Sequence, residues 1–101
     1  NLIYVPNIFT PNDDGRNDEF GMTGYGIDVI SYLRIFDRWG QIMFQANDIE
    51  MLNGRMPAGT GWLGSNQNGK SCNSGVYVYS YELICANGEV IKGSGNVTLI
   101  K

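Results

Sequence analysis

The chain has 101 residues, a formal net charge of −3 and no histidine. This length fits one domain, residues 1–101, with one hydrophobic core. The scattered basic residues exclude the clustered Lys and Arg of a nucleic-acid-binding surface, and no apolar run approaches the ~20 residues of a membrane span. Without histidine, and without a carboxylate pair in a catalytic context, we expect no enzymatic activity. Because the first residue is Asn1 rather than Met, we expect the domain to be excised from a longer chain with any export signal upstream.

Glycine and aromatic residues are both abundant, with 14 glycines and 12% aromatics. Short β-branched and aromatic runs alternate with turn residues along the chain. This pattern predicts an all-β domain, an immunoglobulin-like antiparallel β-sandwich of about seven strands.

In the first half of the chain, residues 2–5 are predicted to form a strand that Pro6 ends. A turn system follows, and then a second short strand over residues 19–22. Residues 25–30 are less regular and are predicted to lie along an edge. Residues 31–37 alternate with a period of two, which places Leu33 and Ile35 on one face. The turn Asp37–Gly40 then leads to a strand over residues 41–45, and the two strands form a hairpin.

In the second half, residues 48–52 are predicted to make one helical turn, capped by Asn47 and ended by Asn53 and Gly54. A glycine-rich loop follows, in which Trp62 is expected to plug the core. Residues 76–85 form the strongest predicted strand, with the tyrosines at 77, 79 and 81 on one face. Asn87-Gly88 is a strong hairpin signal. Residues 89–92 pair back, Gly93 and Gly95 suggest a bulge, and residues 97–100 complete the sheet.

The two cysteines, Cys72 and Cys85, do not have the spacing of a zinc or redox motif. If residues 76–85 form one strand, its ends lie ~30 Å apart. A disulfide requires Cα atoms within about 7 Å, so we expect no bridge between these two cysteines.

The most unusual stretch of the sequence is the turn system between Val5 and Phe20, which is rich in Pro, Asn, Asp and Gly. The spacing of Asn12, Asp14 and Asp18 resembles part of a calcium-binding loop, because calcium takes six to eight oxygen ligands. The same side chains can instead hold the turn by bonding to their own backbone. The sequence leaves open both a calcium site and a purely structural turn.

This turn system also carries a family resemblance. The sequence from Pro6 to Phe20 resembles the opening signature of the type B C-terminal sorting domain of the type IX secretion system, also called the gliding-motility-associated C-terminal domain of Bacteroidota. Three later stretches, residues 33–40, 75–79 and 95–101, resemble family motifs in the same order. The chain departs from the family at Trp62-Leu63-Gly64, where Trp-Asp-Gly is usual.

The resemblance implies the same fold and a function in binding rather than catalysis. It implies a C-terminal secretion signal that directs a cargo protein through the periplasm and the outer membrane, to be secreted or held at the cell surface. The implied partners are the outer-membrane translocon and the shuttle or receptor components of the type IX system. The residues expected to contact these partners are Asn7, Thr10, Asn12, Asp14, Asn17, Asp18, Arg38, Trp39 and Lys101. Each of them has a structural alternative, which for Arg38 and Trp39 is stabilisation of their turn.

An alternative function is that of an extracellular carbohydrate-binding or adhesion module, with calcium as a possible stabilising ion. Aromatic faces suit the apolar faces of sugars, and several aromatic side chains could form such a platform: Trp39, Trp62, Tyr77, Tyr79 and Tyr81. Packing of these residues within the sheet and core is the competing interpretation.

Overall fold

The computed structural model describes residues 3–11 and 19–101, and its regular elements are all β-strands. No described segment forms a helix with the length and apolar character needed to cross a membrane. The strands are β1 (Ile3–Tyr4), β2 (Ile8–Phe9), β3 (Thr23–Gly24), β4 (Ile27–Phe36), β5 (Ile42–Glu50), β6 (Gly75–Cys85) and β7 (Val90–Leu99).

The strands form a five-stranded sheet in the order β2-β7-β6-β4-β5 and a two-stranded sheet of β1 and β3. This open sandwich confirms the predicted all-β class and strand number. Every neighbouring pair is antiparallel except β2 and β7, which run parallel. Pro6 and Pro11 lie on either side of β2, and neither has a backbone N–H to donate. The strand is therefore only two residues long, and it pairs with one end of β7.

The core lies between one face of the large sheet, called the inner face here, and the segments that cover it. Leu33, Ile35 and Leu83 on the inner face are completely buried. Trp62 is also completely buried, as predicted, and its Nε1 donates to the Ser65 carbonyl at 2.8 Å. Its ring lies 5.2 Å from that of Tyr77. Burying the large ring and satisfying its one donor make Trp62 the plug of the core.

The irregular edge predicted for residues 25–30 is wrong, because β4 begins at Ile27 and lies between β6 and β5. Its register against β6 steps from Ile27↔Cys85 to Val29↔Ile84, and slips again between Ile30 and Tyr32. Each slip leaves one extra residue in β4, which is a β-bulge. The bulges disturb the alternation of apolar and polar residues, so the sequence pattern did not predict this first part of the strand.

The helical turn predicted for residues 48–52 is also wrong, because β5 continues to Glu50. Asn53 and Gly54 both have positive φ, at 52° and 80°, and Leu52 and Arg55 exchange two backbone hydrogen bonds. This is a two-residue turn of the type that favours Asn-Gly. The same dipeptide that correctly predicted the turn at Asn87-Gly88 was present here and was interpreted as a helix end.

Two further predictions, a short strand and a bulge, are also wrong. The short strand predicted for residues 19–22 is an isolated bridge between Phe20 and Trp62, and the regular strand β3 begins at Thr23. The bulge predicted at Gly93 and Gly95 is absent, because β7 pairs with β6 without a register shift. These glycines instead make room for aromatic rings, since a Cβ on Gly95 would lie 2.7 Å from Cζ of Tyr79.

Candidate recognition surface

The turn between β4 and β5 is built around the Asp37 carboxylate. Its Oδ1 accepts hydrogen bonds from the backbone N–H groups of Trp39 and Gln41, each at 2.9 Å. Gly40 completes the turn with a φ of 85°, which an L-residue rarely adopts. Asp37 is therefore used as a turn acceptor, which fixes the two residues that follow it.

Arg38 and Trp39 project from this turn into solvent. The Trp39 side chain is 75% exposed, which is unusual for so large an apolar group. The Arg38 guanidinium carbon lies 4.9 Å from the centroid of the Trp39 ring, within cation–π range. The pair forms an exposed aromatic and cationic unit on a fixed turn.

Asn7, Thr10 and Lys101 are placed by the parallel pairing of β2 with β7. The carbonyl of Asn7 accepts from the Thr98 N–H, and that of Phe9 accepts from the Ile100 N–H, both at 2.9 Å. The backbone N–H of Lys101 donates to Ser74 Oγ at 3.1 Å. Thr10 therefore follows directly after the residue that contacts Ile100, and Lys101 lies next to the start of β6.

The predicted contact residues that the structure describes are brought to one end of the large sheet, called the recognition end here. The start of β6 pairs with the end of β7 at Gly75↔Leu99, and the end of β4 pairs with β6 at Phe36↔Val78. A groove of about 320 Å³ lies between the Asp37–Trp39 turn and the chain entering β6. The predicted residues at this end are Asn7, Thr10, Arg38, Trp39 and Lys101.

The face of the large sheet opposite the core carries exposed apolar side chains near the same end. Ile8 is 52% exposed and Val76 is 56% exposed, and Ile100 and Val78 are also exposed. Isolated exposed apolar residues are ordinary on a protein surface, and these four lie on the same face of the sheet. Their exposure could not be predicted from the sequence, because strand alternation shows that a sheet has two faces but not which face the second layer covers.

The remaining predicted contact residues, Asn12, Asp14, Asn17 and Asp18, lie outside the described residues, and so does the possible calcium site. The chain on either side of them is anchored to the loop after β5. Both Glu19 carboxylate oxygens accept from the Gly59 N–H, and Oε1 also accepts from the Gly61 N–H at 2.9 Å. On the other side of these residues, the Pro11 ring packs closely against Gly64, because a Cβ built on Gly64 would lie 3.2 Å from Cγ of Pro11. Residues 3–11 and 19–101 contain no cluster of three His, Cys, Asp or Glu side chains able to hold a metal ion.

A buried thiol and a buried phenol lie beneath the recognition end. Cys72 Sγ contacts Met43 Sδ at 3.8 Å, and the Tyr77 hydroxyl donates to the Asn73 carbonyl at 2.7 Å. Burial is the main cause that raises the pKa of Cys72 and of Tyr77. Cys85 lies at the opposite end of β6, and neither cysteine takes part in a disulfide.

The aromatic platform considered for carbohydrate binding does not form. Trp62 is 0% exposed and Tyr77 is 8% exposed, so neither ring offers a face to a sugar. Tyr79 and Tyr81 stack on each other at 6.2 Å with an interplanar angle of 18°, on the inner face of the sheet. Among the aromatic residues considered, Trp39 alone is largely exposed, and the other four side chains pack within the core and the inner face.

Comparison with known proteins gives the fold and the family separately. The crystal structure of CopC from Methylosinus trichosporium OB3b superimposes with a TM-score of 0.58, covering 98% of this chain and 89% of that one. The sequences are 12% identical, so this likeness concerns the fold. No curated protein matches the chain. The model of the CHU_C type IX secretion signal domain matches residues 3–99, so the chain belongs to this family of secretion signal domains.

Proposed function

We propose that this type IX secretion signal domain acts by protein–protein recognition, with the recognition end of its large sheet as the contact surface for the secretion machinery. The domain marks a secreted or cell-surface cargo protein. We further propose that residues 1–101 form the C-terminal domain of a longer cargo, which passes through the periplasm and then through the outer-membrane translocon.

The observation that carries the proposal is the convergence of Asn7, Thr10, Arg38, Trp39 and Lys101 at one end of the sheet. These residues come from both termini and from the middle of the chain, and the strand register brings them together. Two of them lie on a turn fixed by Asp37. Rigid turns that present polar and aromatic groups are typical recognition sites, and Trp and Arg are enriched among residues that dominate binding energy.

The test of this mechanism uses two exposed aromatic residues on different parts of the fold. Trp39 is 75% exposed at the recognition end, and Tyr25 is 77% exposed in the turn before β4, at the opposite end. In a full-length cargo, Trp39→Ala should reduce export by about tenfold, whereas Tyr25→Ala should leave it unchanged.

Both substitutions remove an exposed ring, so both variants should unfold within a few degrees of the parent, as surface substitutions usually do. Equal export of the two variants would contradict recognition through this end. A loss of export with Tyr25→Ala alone would move the contact surface to the other end of the sheet.

A further inference from the structure

In the part of the chain that the structure describes, the outer edge of β7 is paired only at the end of the strand. β2 pairs with β7 at Thr98 and Leu99, the last two residues of the strand. Among residues 3–11 and 19–101, no strand pairs with the outer side of β7 from Val90 to Asn96. This open stretch, called the β7 edge here, is ~20 Å long at ~3.3 Å per residue.

The backbone groups that face away from the sheet at this edge can be assigned from the hydrogen bonds at its two ends. The N–H groups of Thr98 and Ile100 bond to the β2 segment, whereas the Glu89 carbonyl bonds back to the Cys85 N–H. Successive residues of a strand face alternate sides, and the register between β6 and β7 is uninterrupted. The outward-facing N–H and C=O groups therefore belong to four exposed residues: Val90, Lys92, Ser94 and Asn96.

The two edges of the sheet differ in how well they could accept a strand. The β5 edge is distorted, because Asp48 has a φ of 53° and the register against β4 slips after Ile35. Proteins commonly protect edges with bulges and charges. The β7 edge has no bulge, and its charged residue, Lys92, is directed to Glu82 on the neighbouring strand at 3.6 Å.

Two tyrosines bring hydrogen-bonding groups to the same edge. Gly93 and Gly95 have no side chains, and the rings of Tyr81 and Tyr79 lie over them with the hydroxyl ends towards β7. The two hydroxyls belong to residues two positions apart on the inner face of β6. Side chains on one face of an added strand would repeat with the same two-residue spacing.

From the open backbone groups and the placement of these tyrosines, we propose that the β7 edge binds an extended strand of a partner protein in the secretion machinery. The added strand would pair with the outward backbone groups of Lys92, Ser94 and Asn96. Short polar side chains at alternate positions of that strand would meet the hydroxyls of Tyr79 and Tyr81. Backbone pairing of this kind supplies affinity, and the alternate side chains supply specificity. This inference rests on the proposed function and adds a second contact to the recognition end.

The test removes one outward N–H without touching the β6–β7 ladder. Proline is tolerated on an edge strand where its missing N–H would face solvent. Ser94 and Asn96 each follow a glycine, which relieves the steric restriction on the residue before proline. Ser94→Pro in a full-length cargo should lower export by roughly tenfold, the effect of losing about 1.4 kcal/mol of binding. Ser94→Ala keeps the N–H and should be exported normally.

Asn96→Pro provides an independent second variant with the same expectation. The 101-residue chain carrying either proline should still fold, as measured by circular dichroism, because these N–H groups bond to nothing in β6. Unfolding of both proline variants would overturn the assignment of the edge, and normal export of folded Ser94→Pro and Asn96→Pro would overturn the partner strand.

The occupant is tested by sedimentation of the purified chain. A dimer that Ser94→Pro converts to a monomer would show that a second copy occupies the edge, and would overturn the inference of a partner strand. Deletion of residues 1–101 from the cargo tests the proposed function separately. If deletion abolishes export while Ser94→Pro and Asn96→Pro do not affect it, the sorting function stands and the edge inference fails.

Discussion

Three weakly acidic side chains, of which Cys72 and Tyr77 are buried and Tyr79 is half-buried, link the packing of single residues to a measurable property. Burial raises the pKa of the Cys72 thiol and of the Tyr77 and Tyr79 phenols, and the neighbouring Tyr81 contributes to the shift at Tyr79. Each group therefore binds its proton more tightly in the folded domain than in the unfolded chain. Their contribution to stability is fully present below the unfolded pKa values and is lost as the pH rises through the folded ones.

We expect the melting temperature of the domain to fall as the pH rises above about 8.5, the ordinary thiol value, and more steeply above about 10, the ordinary phenol value. Thermal unfolding followed from neutral to alkaline pH measures this loss. Tyr79→Phe removes one of the three groups and should make the alkaline decline shallower. A melting temperature that stays constant across this range would contradict the raised pKa values.

At the scale of elements, the turns show how much a short sequence signal can predict. Asn87-Gly88 correctly predicted a hairpin, and the strand from Gly75 to Cys85 with its tyrosine face was found where alternation placed it. The sequence did not reveal β4 from Ile27, because β-bulges break the alternation there. It also did not reveal the purpose of Gly93 and Gly95, since the need for glycine arises from rings on another strand.

The candidate surface also combines features that local sequence patterns predict with features that they do not. The exposure of Arg38 and Trp39 could be predicted, because a turn between two alternating strands usually lies on the surface. The exposure of Ile8, Val76 and Ile100 could not be predicted, because the identity of the covered face depends on where the second layer packs. Likewise the contact of Lys101 with Ser74 depends on a register between distant strands, which local patterns do not specify.

Two turn glycines provide a matched test of the close packing between elements. Gly54 and Gly88 have φ values of 80° and 89°, so alanine is strained at either position. A Cβ on Gly54 would lie 2.9 Å from the Gly24 carbonyl oxygen, whereas a Cβ on Gly88 would have nothing within 4 Å.

Gly88→Ala should therefore cost about 1 kcal/mol of unfolding free energy, from backbone strain alone. Gly54→Ala should cost about 2–4 kcal/mol, because the steric conflict adds to that strain. Chemical denaturation of the two variants and the parent gives both values. Equal losses would show that the turn after β5 does not pack against β3 as described.

For the whole molecule, the architecture shows how a small signal domain can present residues from distant parts of its sequence at one place. One sheet carries the core on its inner face, and its register brings β2, the end of β7 and the Asp37–Gly40 turn to one end. A partner that contacts this end would detect the folded domain rather than a linear peptide, because the contacting residues are distant in sequence. Secretion through such a contact depends on the domain being present and folded.

The most direct test of this account compares export of a full-length cargo with and without residues 1–101, in a bacterium that has the type IX secretion system. Export should be lost when the domain is deleted and restored when the same domain is attached again at the C-terminus. Immunoblotting of the periplasmic, cell-surface and medium fractions measures the distribution of the cargo. Accumulation of the truncated cargo in the periplasm is the predicted result, and its normal arrival at the cell surface or in the medium would contradict the sorting function.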